Sequence, residues 1–248
     1  MVEFEKILKS MNETCREADV HIITGDTKVV EKGALGGCVI NTSGIGKRNE
    51  ALERNIAEVK KHRFFDAQWI LDSNLREGDK IIVSGTVGDH GLAVLSSQEG
   101  YDFGSQITSD VAPLNKLITS LLNVGGIVAM KDPTRGGLSN TLNELSEKSK
   151  VGIMVNEEKI PMRGDVRAAC EMLGIDPLEV GNEGKVVLGV IPQKAKEVLE
   201  ALKETKQGKE AKIVGETTKE FDVVVLKTAV GGKRILAPPI GDPIPRIC

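Results

Sequence analysis

The chain has 248 residues, 40% of them hydrophobic but only 3% aromatic, and a formal net charge of −3 with both signs interspersed. That is enough chain for one large domain or two small ones, with a core built from Val, Ile, Leu and Ala. It excludes a basic stripe for nucleic acid and a polybasic membrane patch, and no apolar run reaches the roughly 18 residues of a membrane span. The four cysteines, Cys15, Cys38, Cys170 and Cys248, stand far apart with no Cys-x-x-Cys pair. This spacing argues against a disulfide framework or zinc knuckle and for a reducing, cytoplasmic setting. Met1 opens an acidic amphipathic segment rather than a signal peptide.

Phe4, Ile7, Leu8 and Met11 recur at helical spacing, with Cys15 one turn on, and predict a helix over 3–18. Short strands are expected at 20–24, 28–31 and 38–42, with Gly25-Asp26-Thr27 as the turn between the first two. The stretch 47–69 is charged and helical in pattern (Leu52, Ile56, Val59), then aromatic at Phe64, Phe65 and Trp69. It reads as a solvated helix with one apolar face, or as a partner-binding helix.

From Leu75 the pattern becomes regular α/β. Strands are expected at 80–84, 124–131, 151–155, 185–190, 211–214 and 221–226. Helices are expected at 92–97, 114–122, 138–148, 165–173 and 194–204. Alternation of this kind means a sheet covered by helices. Cys15, Cys38 and Cys170 fall on these patterns and read as small core residues.

The last eleven residues, from Pro238 to Cys248, carry four prolines. Proline fixes φ and removes a donor, so this segment is expected to be an extended arm, not helix or central strand. Fully stretched it reaches about 35 Å. A thiol at the tip of a stiff arm suits a carrier that is loaded at one site and processed at another; a plain tail ending in Cys is the simpler alternative.

Three turns could hold chemistry. Asp132-Pro133-Thr134-Arg135-Gly136-Gly137-Leu138 follows a strand and opens a helix. Its amides could favour phosphate and its carboxylate Mg²⁺, or Asp132 could merely cap the corner. Gly25-Asp26-Thr27-Lys28 groups a carboxylate, a hydroxyl and an amine, or is a hairpin corner. Gly181-Asn182-Glu183-Gly184 could hold Glu183 over a cleft, or be a plain polar turn. His90 in Gly88-Asp89-His90-Gly91 lacks metal-ligand spacing and reads as a turn or capping residue. No Walker-type phosphate loop or nucleophile elbow is present.

These turns, with Ser109-Asp110-Val111-Ala112-Pro113-Leu114-Asn115 and the Pro-Arg-Ile-Cys ending, resemble the HypE family of hydrogenase maturation factors, within the PurM-like superfamily. The resemblance runs from about residue 3 to 248. It implies a PurM-like α/β (α+β) fold: 1–46 as the remnant of an N-terminal ATP-binding domain, 47–74 as a helical insertion or linker, 75–237 as a C-terminal α/β sandwich-type domain and 238–248 as the tail. It implies ATP-dependent dehydration of a carbamoyl group on Cys248 to a thiocyanate, the cyanide donor to the iron of nickel–iron hydrogenase. In that scheme Glu183 is the base and Lys28 neutralises phosphate charge. Asp132 takes Mg²⁺, and Asp26, Thr134, Arg135, Gly136, Gly137 and Asn182 bind the nucleotide. The implied partners are a HypF-like carbamoyltransferase, a HypC–HypD-like iron scaffold and a second copy of the chain.

Members of the family carry a glycine-rich start and an acidic motif ahead of the helix at Phe4. Without these, the chain alone is expected to bind ATP weakly. Two other readings stay open: a non-catalytic carrier presenting Cys248, and another PurM-like enzyme of small metabolites, which the terminal thiol disfavours.

Overall fold

A computed structural model describes residues 2–101, 103 and 107–241. Cys248 and Arg246 lie outside the described residues. The chain divides into two compact units, 1–50 and 51–248.

In the first unit, α1 (Val2–Ala18) forms as its apolar spacing predicts. It ends where Asp19 turns left-handed (φ 55°) and the Val20 amide donates to the Cys15 carbonyl. The strands expected at 20–24, 28–31 and 38–42 do not form; residues 19–49 contain no regular element. Their β-branched residues stand exposed, Ile23 at 86% and Val29 at 90%. A strand is completed by a ladder to its neighbour, and an isolated one is marginal in water. Cys38, expected in the core, is exposed as well, and Cys15 is only half-buried; Cys170 alone of the three is buried.

The second unit opens with α2 (Glu50–His62). Leu52, Ile56 and Val59, the apolar face read from the sequence, are buried in the main core, so this helix packs as part of the unit. Asn55, fully buried, donates to the Ile127 carbonyl (2.7 Å) and accepts from the Ile127 amide (2.9 Å). At the helix end Arg63 pairs with the buried Asp79 at 2.7 Å and also donates to the Asn74 carbonyl.

Next come β1 (Lys80–Val83), α3 (Asp89–Glu99), α4 (Asn115–Val124), β2 (Ile127–Lys131), α5 (Gly137–Ser149), β3 (Gly152–Asn156) and α6 (Gly164–Leu173). β4 (Val187–Val190), α7 (Ala195–Lys203), β5 (Lys212–Thr218), β6 (Val224–Lys227) and β7 (Lys233–Ile235) complete the unit. The expected elements from Leu75 onward are all present within a few residues; β7 is an addition. The strands form one seven-stranded sheet in the order β2-β4-β1-β5-β3-β6-β7. All neighbours run antiparallel except β3 and β6.

Side chains alternate across a strand, and here both faces are buried. Ile81 and Val83 join the core under α2 and α5, while Ile82 joins the one under α4 and α7. A third cluster seals α3 against α6 through Leu92, Leu95, Val166, Ala169 and Cys170. Covering the sheet on both faces leaves its strand-end loops as the place for polar chemistry.

Candidate active site

Four loops meet at one end of the sheet: 84–91, 107–114, 132–137 and 176–185. Asn182 joins three of them. Its Oδ1 accepts from the Gly88 amide at 2.8 Å, its backbone amide donates to the Pro133 carbonyl at 3.0 Å, and its carbonyl accepts from Thr134 Oγ1 at 3.0 Å. The side chain is 1% exposed. A buried amide with its partners satisfied rigidifies a site more than it binds ligands.

The fourth loop is fixed by Asp110, whose Oδ1 accepts from the Glu183 amide at 3.0 Å. Its Oδ2 forms an ion pair with Lys185 Nζ at 3.2 Å, without hydrogen-bond geometry. Gly184 allows this approach: a Cβ there would stand 1.7 Å from the Asp110 carbonyl oxygen. Asp89, almost fully buried, accepts from Thr86 Oγ1 at 2.5 Å, and its other oxygen has no hydrogen-bond partner. Burial raises its pKa, against the pull of Thr86, Lys185 and Arg163. His90 Nδ1 lies 2.7 Å from Ser109 Oγ.

Glu183 is half-buried at the centre of these groups. Burial holds its carboxyl above the usual carboxylate range; His90 opposes that, and the negative charges of Asp132 and Asp110 reinforce it. Asp132 and Glu183, 51 residues apart by their numbers (183 − 132), therefore face one another electrostatically. A half-buried carboxylate with a raised pKa beside other polar groups is a candidate proton acceptor and donor.

Across the gap, the 132–137 loop makes a strand-to-helix corner. Gly136 (φ 68°) and Gly137 (φ 61°) are left-handed, and a Cβ on Gly137 would come within 2.6 Å of the Leu178 and Val180 carbonyls. The Asp132 carbonyl accepts from Thr141 Oγ1 at 3.1 Å, which leaves its exposed carboxylate at the loop surface. Arg135 is exposed beside it. The first turn of α5 behind the loop presents backbone amides of the kind that favour anions.

The expected site residues thus divide. Asp132, Thr134, Arg135, Gly136, Gly137, Asn182 and Glu183 share one loop cluster. Asp26 and Lys28 belong to the first unit, both exposed; Asp26 Oδ1 accepts from the Thr27 amide at 2.8 Å, with no hairpin around it. Cys248 lies outside the described residues. Asn182 and Thr134, expected as nucleotide contacts, spend their side chains on one another's loops. Sequence reasoning gave no role to Asp110 or Lys185. The available signal was Ser109-Asp110 ahead of Pro113, a polar pair at a turn. Among the described residues no group of three or more His, Cys, Asp or Glu side chains forms a metal cluster.

Residues 76–227 match the family model of the AIR synthase related protein, C-terminal domain. The chain is 51% identical over 247 residues to a putative hydrogenase expression/formation protein of Methanocaldococcus jannaschii, covering 99% of this chain and 68% of that one. It is 43% identical to the carbamoyl dehydratase HypE of Rhizobium leguminosarum bv. viciae, covering 100% of this chain and 67% of the relative. The chain belongs to the HypE family. Solved HypE structures agree with the fold. The HypE–HypF complex superposes with a TM-score of 0.80 at 39% identity, covering 96% of this chain and 72% of that one. HypE in complex with ATP gives 0.81 at 35% identity, covering 99% and 70%. The PurM-like α/β architecture expected from the sequence is therefore the observed one. Among the described residues no helix is long and apolar enough to cross a membrane.

Proposed function

We propose that the chain acts in hydrogenase maturation as an ATP-dependent carbamoyl dehydratase, with Cys248 as the carrier of the carbamoyl group and Glu183 as the base. The observation that carries this is the juxtaposition of Glu183 and Asp132 on facing loops, with the Glu183 carboxyl raised by burial. Relatives are named carbamoyl dehydratases, and one HypE structure holds ATP.

Dehydration of an S-carbamoyl group removes one oxygen and both amide protons. Oxygen is a poor leaving group, so its transfer to the γ-phosphoryl of ATP comes first. That step forms a C–O–P linkage, releases ADP and frees one amide proton. In the second step the C–O bond breaks, phosphate leaves, the remaining N–H proton goes to a base, and a nitrile remains on sulfur. Glu183, whose carboxyl burial holds above its ordinary pKa, accepts that proton. The amides at the start of α5 and Arg135 stabilise the phosphate charge.

Mg²⁺ fits Asp132: one exposed carboxylate on a rigid loop is a sufficient protein ligand for an ion that keeps its waters and phosphate oxygens. Bound there, it would supply neutralisation of phosphate charge. Asn182 acts as a positioning residue. The partners in this reading are a HypF-type carbamoyltransferase that loads the thiol and a HypC–HypD-type scaffold that receives cyanide, with the chain working as a homodimer in the cytoplasm. For domains, the reading keeps 1–46 as part of an ATP-binding domain and 238–248 as the carrier tail.

Intact-mass analysis after incubation with the carbamoyltransferase, its carbamoyl donor and ATP is the test. The expected product is a carbamoyl adduct on Cys248 that then loses the mass of one water. No adduct on wild type, or an unchanged adduct on Cys248→Ser, would overturn the assignment.

A further inference from the structure

The 107–114 loop is fastened to the Glu183 loop at two points, both through Asp110. Its Oδ1 accepts from the Glu183 amide at 3.0 Å, and its Oδ2 lies 3.2 Å from Lys185 Nζ. The Asp110 side chain is 4% exposed and that of Lys185 10%. The stem of Lys185 lies over Gly85, where a Cβ would stand 2.8 Å from its Cε. One residue back, Ser109 Oγ accepts from the Val111 amide at 3.1 Å and lies 2.7 Å from His90 Nδ1. Beside His90, the Gly91 amide donates to the Gly181 carbonyl at 3.0 Å. The 107–114 loop thus splints the start of α3 to the Glu183 loop.

With the bonds of Asn182, the backbone that carries Glu183 is held at three successive residues, 181, 182 and 183. A neutral acceptor could bond the Glu183 amide at a lower desolvation cost than a buried carboxylate. The carboxylate makes the shorter, stronger bond, but it needs a cation to remain ionised in so buried a place. Lys185 is that cation. A buried lysine two residues from a base would otherwise be read as a ligand for substrate phosphate; here its charge is spent on Asp110.

We infer that Asp110 is a positioning residue for the proton-transfer step: it fixes the backbone of Glu183, and Lys185 serves as its counter-ion and not as a substrate ligand. The inference rests on the reading of Glu183 as the base of the second step.

The test is single-turnover dehydration by the carbamoylated full chain at saturating ATP and Mg²⁺, with ADP and nitrile followed separately. A displaced Glu183 slows the nitrile and leaves ADP formation alone, whereas general damage to the fold slows both. Asp110→Ala/Lys185→Met removes the clamp together with its counter-ion, so no charge is left unpaired. Its nitrile formation should fall about 10²-fold, the cost of misplacing a reacting group by roughly 1 Å. Its ADP formation and half-saturating ATP concentration should stay within about twofold of wild type. Asp110→Asn/Lys185→Met returns an acceptor oxygen without either charge and should recover nitrile formation to within about fivefold of wild type. Should the alanine variant not fold, Asp110→Glu keeps the counter-charge but shifts the acceptor by one methylene, and should slow the nitrile selectively in the same way.

Nitrile formation at the wild-type rate in the alanine variant, or in Asp110→Glu where that stands in for it, would overturn the inference. So would equal slowing of ADP and nitrile. An asparagine variant as slow as the alanine one would overturn it too, by showing that the charge of Lys185 or Asp110 is itself required. In each of these cases the wild type still forms nitrile and the dehydratase reading stands. A wild type that forms no nitrile overturns that reading, and the inference with it.

Discussion

Residues 19–49 and residues 75–237 carry the same kind of strand-forming sequence, runs rich in Val and Ile bounded by Gly and Asp. Only the second set became a sheet. In the second unit every strand has a paired neighbour, and Ile81, Ile82 and Val83 are wholly buried. In the first, Val20 to Ile23, Val29 and Val39 have no ladder and stand in the open. Strand propensity describes a fit to a pleated, half-buried surface and produces nothing without that surface.

Substitutions should therefore weigh differently in the two units. The largest stability loss is expected from Arg63→Leu, which leaves Asp79 buried with its main cation gone. Breaking a buried pair from one side costs about 3–5 kcal/mol, read as a fall in the urea midpoint. Asn55→Leu should follow at about 2–3 kcal/mol, because both backbone groups of Ile127 lose their partners.

Glu183→Gln should move stability in the other direction. A carboxyl whose folded pKa is raised contributes stability below its unfolded value and loses it as pH rises through the folded value. The variant should be the more stable protein at neutral pH, and the gap should close as pH falls below the unfolded value. A gap that widens in acid would contradict the burial argument. The smallest effect is expected from Val29→Ser, within about 0.5 kcal/mol, since it removes an exposed side chain with no ladder to lose.

Most of the second unit was legible because periodicity and turn chemistry agree there. The α5 stripe follows Gly136-Gly137, and the buried runs at β1 and β4 are continuous, as in a sheet covered on both faces. β7 escaped notice because its Lys233, Arg234 and Ile235 are all exposed at an edge, where no burial pattern marks a strand. The site was half legible. Glycine-bounded turns pointed to Glu183 and Asp132, since only such turns let backbones close to the distances seen at Gly184 and Gly137. Which polar groups hold the turns together was not readable, because Asn182, Asp110 and Lys185 act through long-range contacts that no local spacing encodes. The apolar face of α2 was legible at Leu52, Ile56 and Val59, whereas the tertiary role of Asn55 was not, for the same reason.

The most direct test of the central claim is a single-turnover infrared experiment on chain already carbamoylated at Cys248. Addition of ATP and Mg²⁺, at concentrations high enough to offset the weak nucleotide binding expected of the chain alone, should produce the nitrile stretch of a thiocyanate in wild type. Glu183→Gln should retain the carbamoyl group and form the nitrile about 10²–10⁴-fold more slowly, the usual contribution of a positioned base. Nitrile formation in Glu183→Gln at the wild-type rate would contradict the assignment of Glu183 as the proton acceptor.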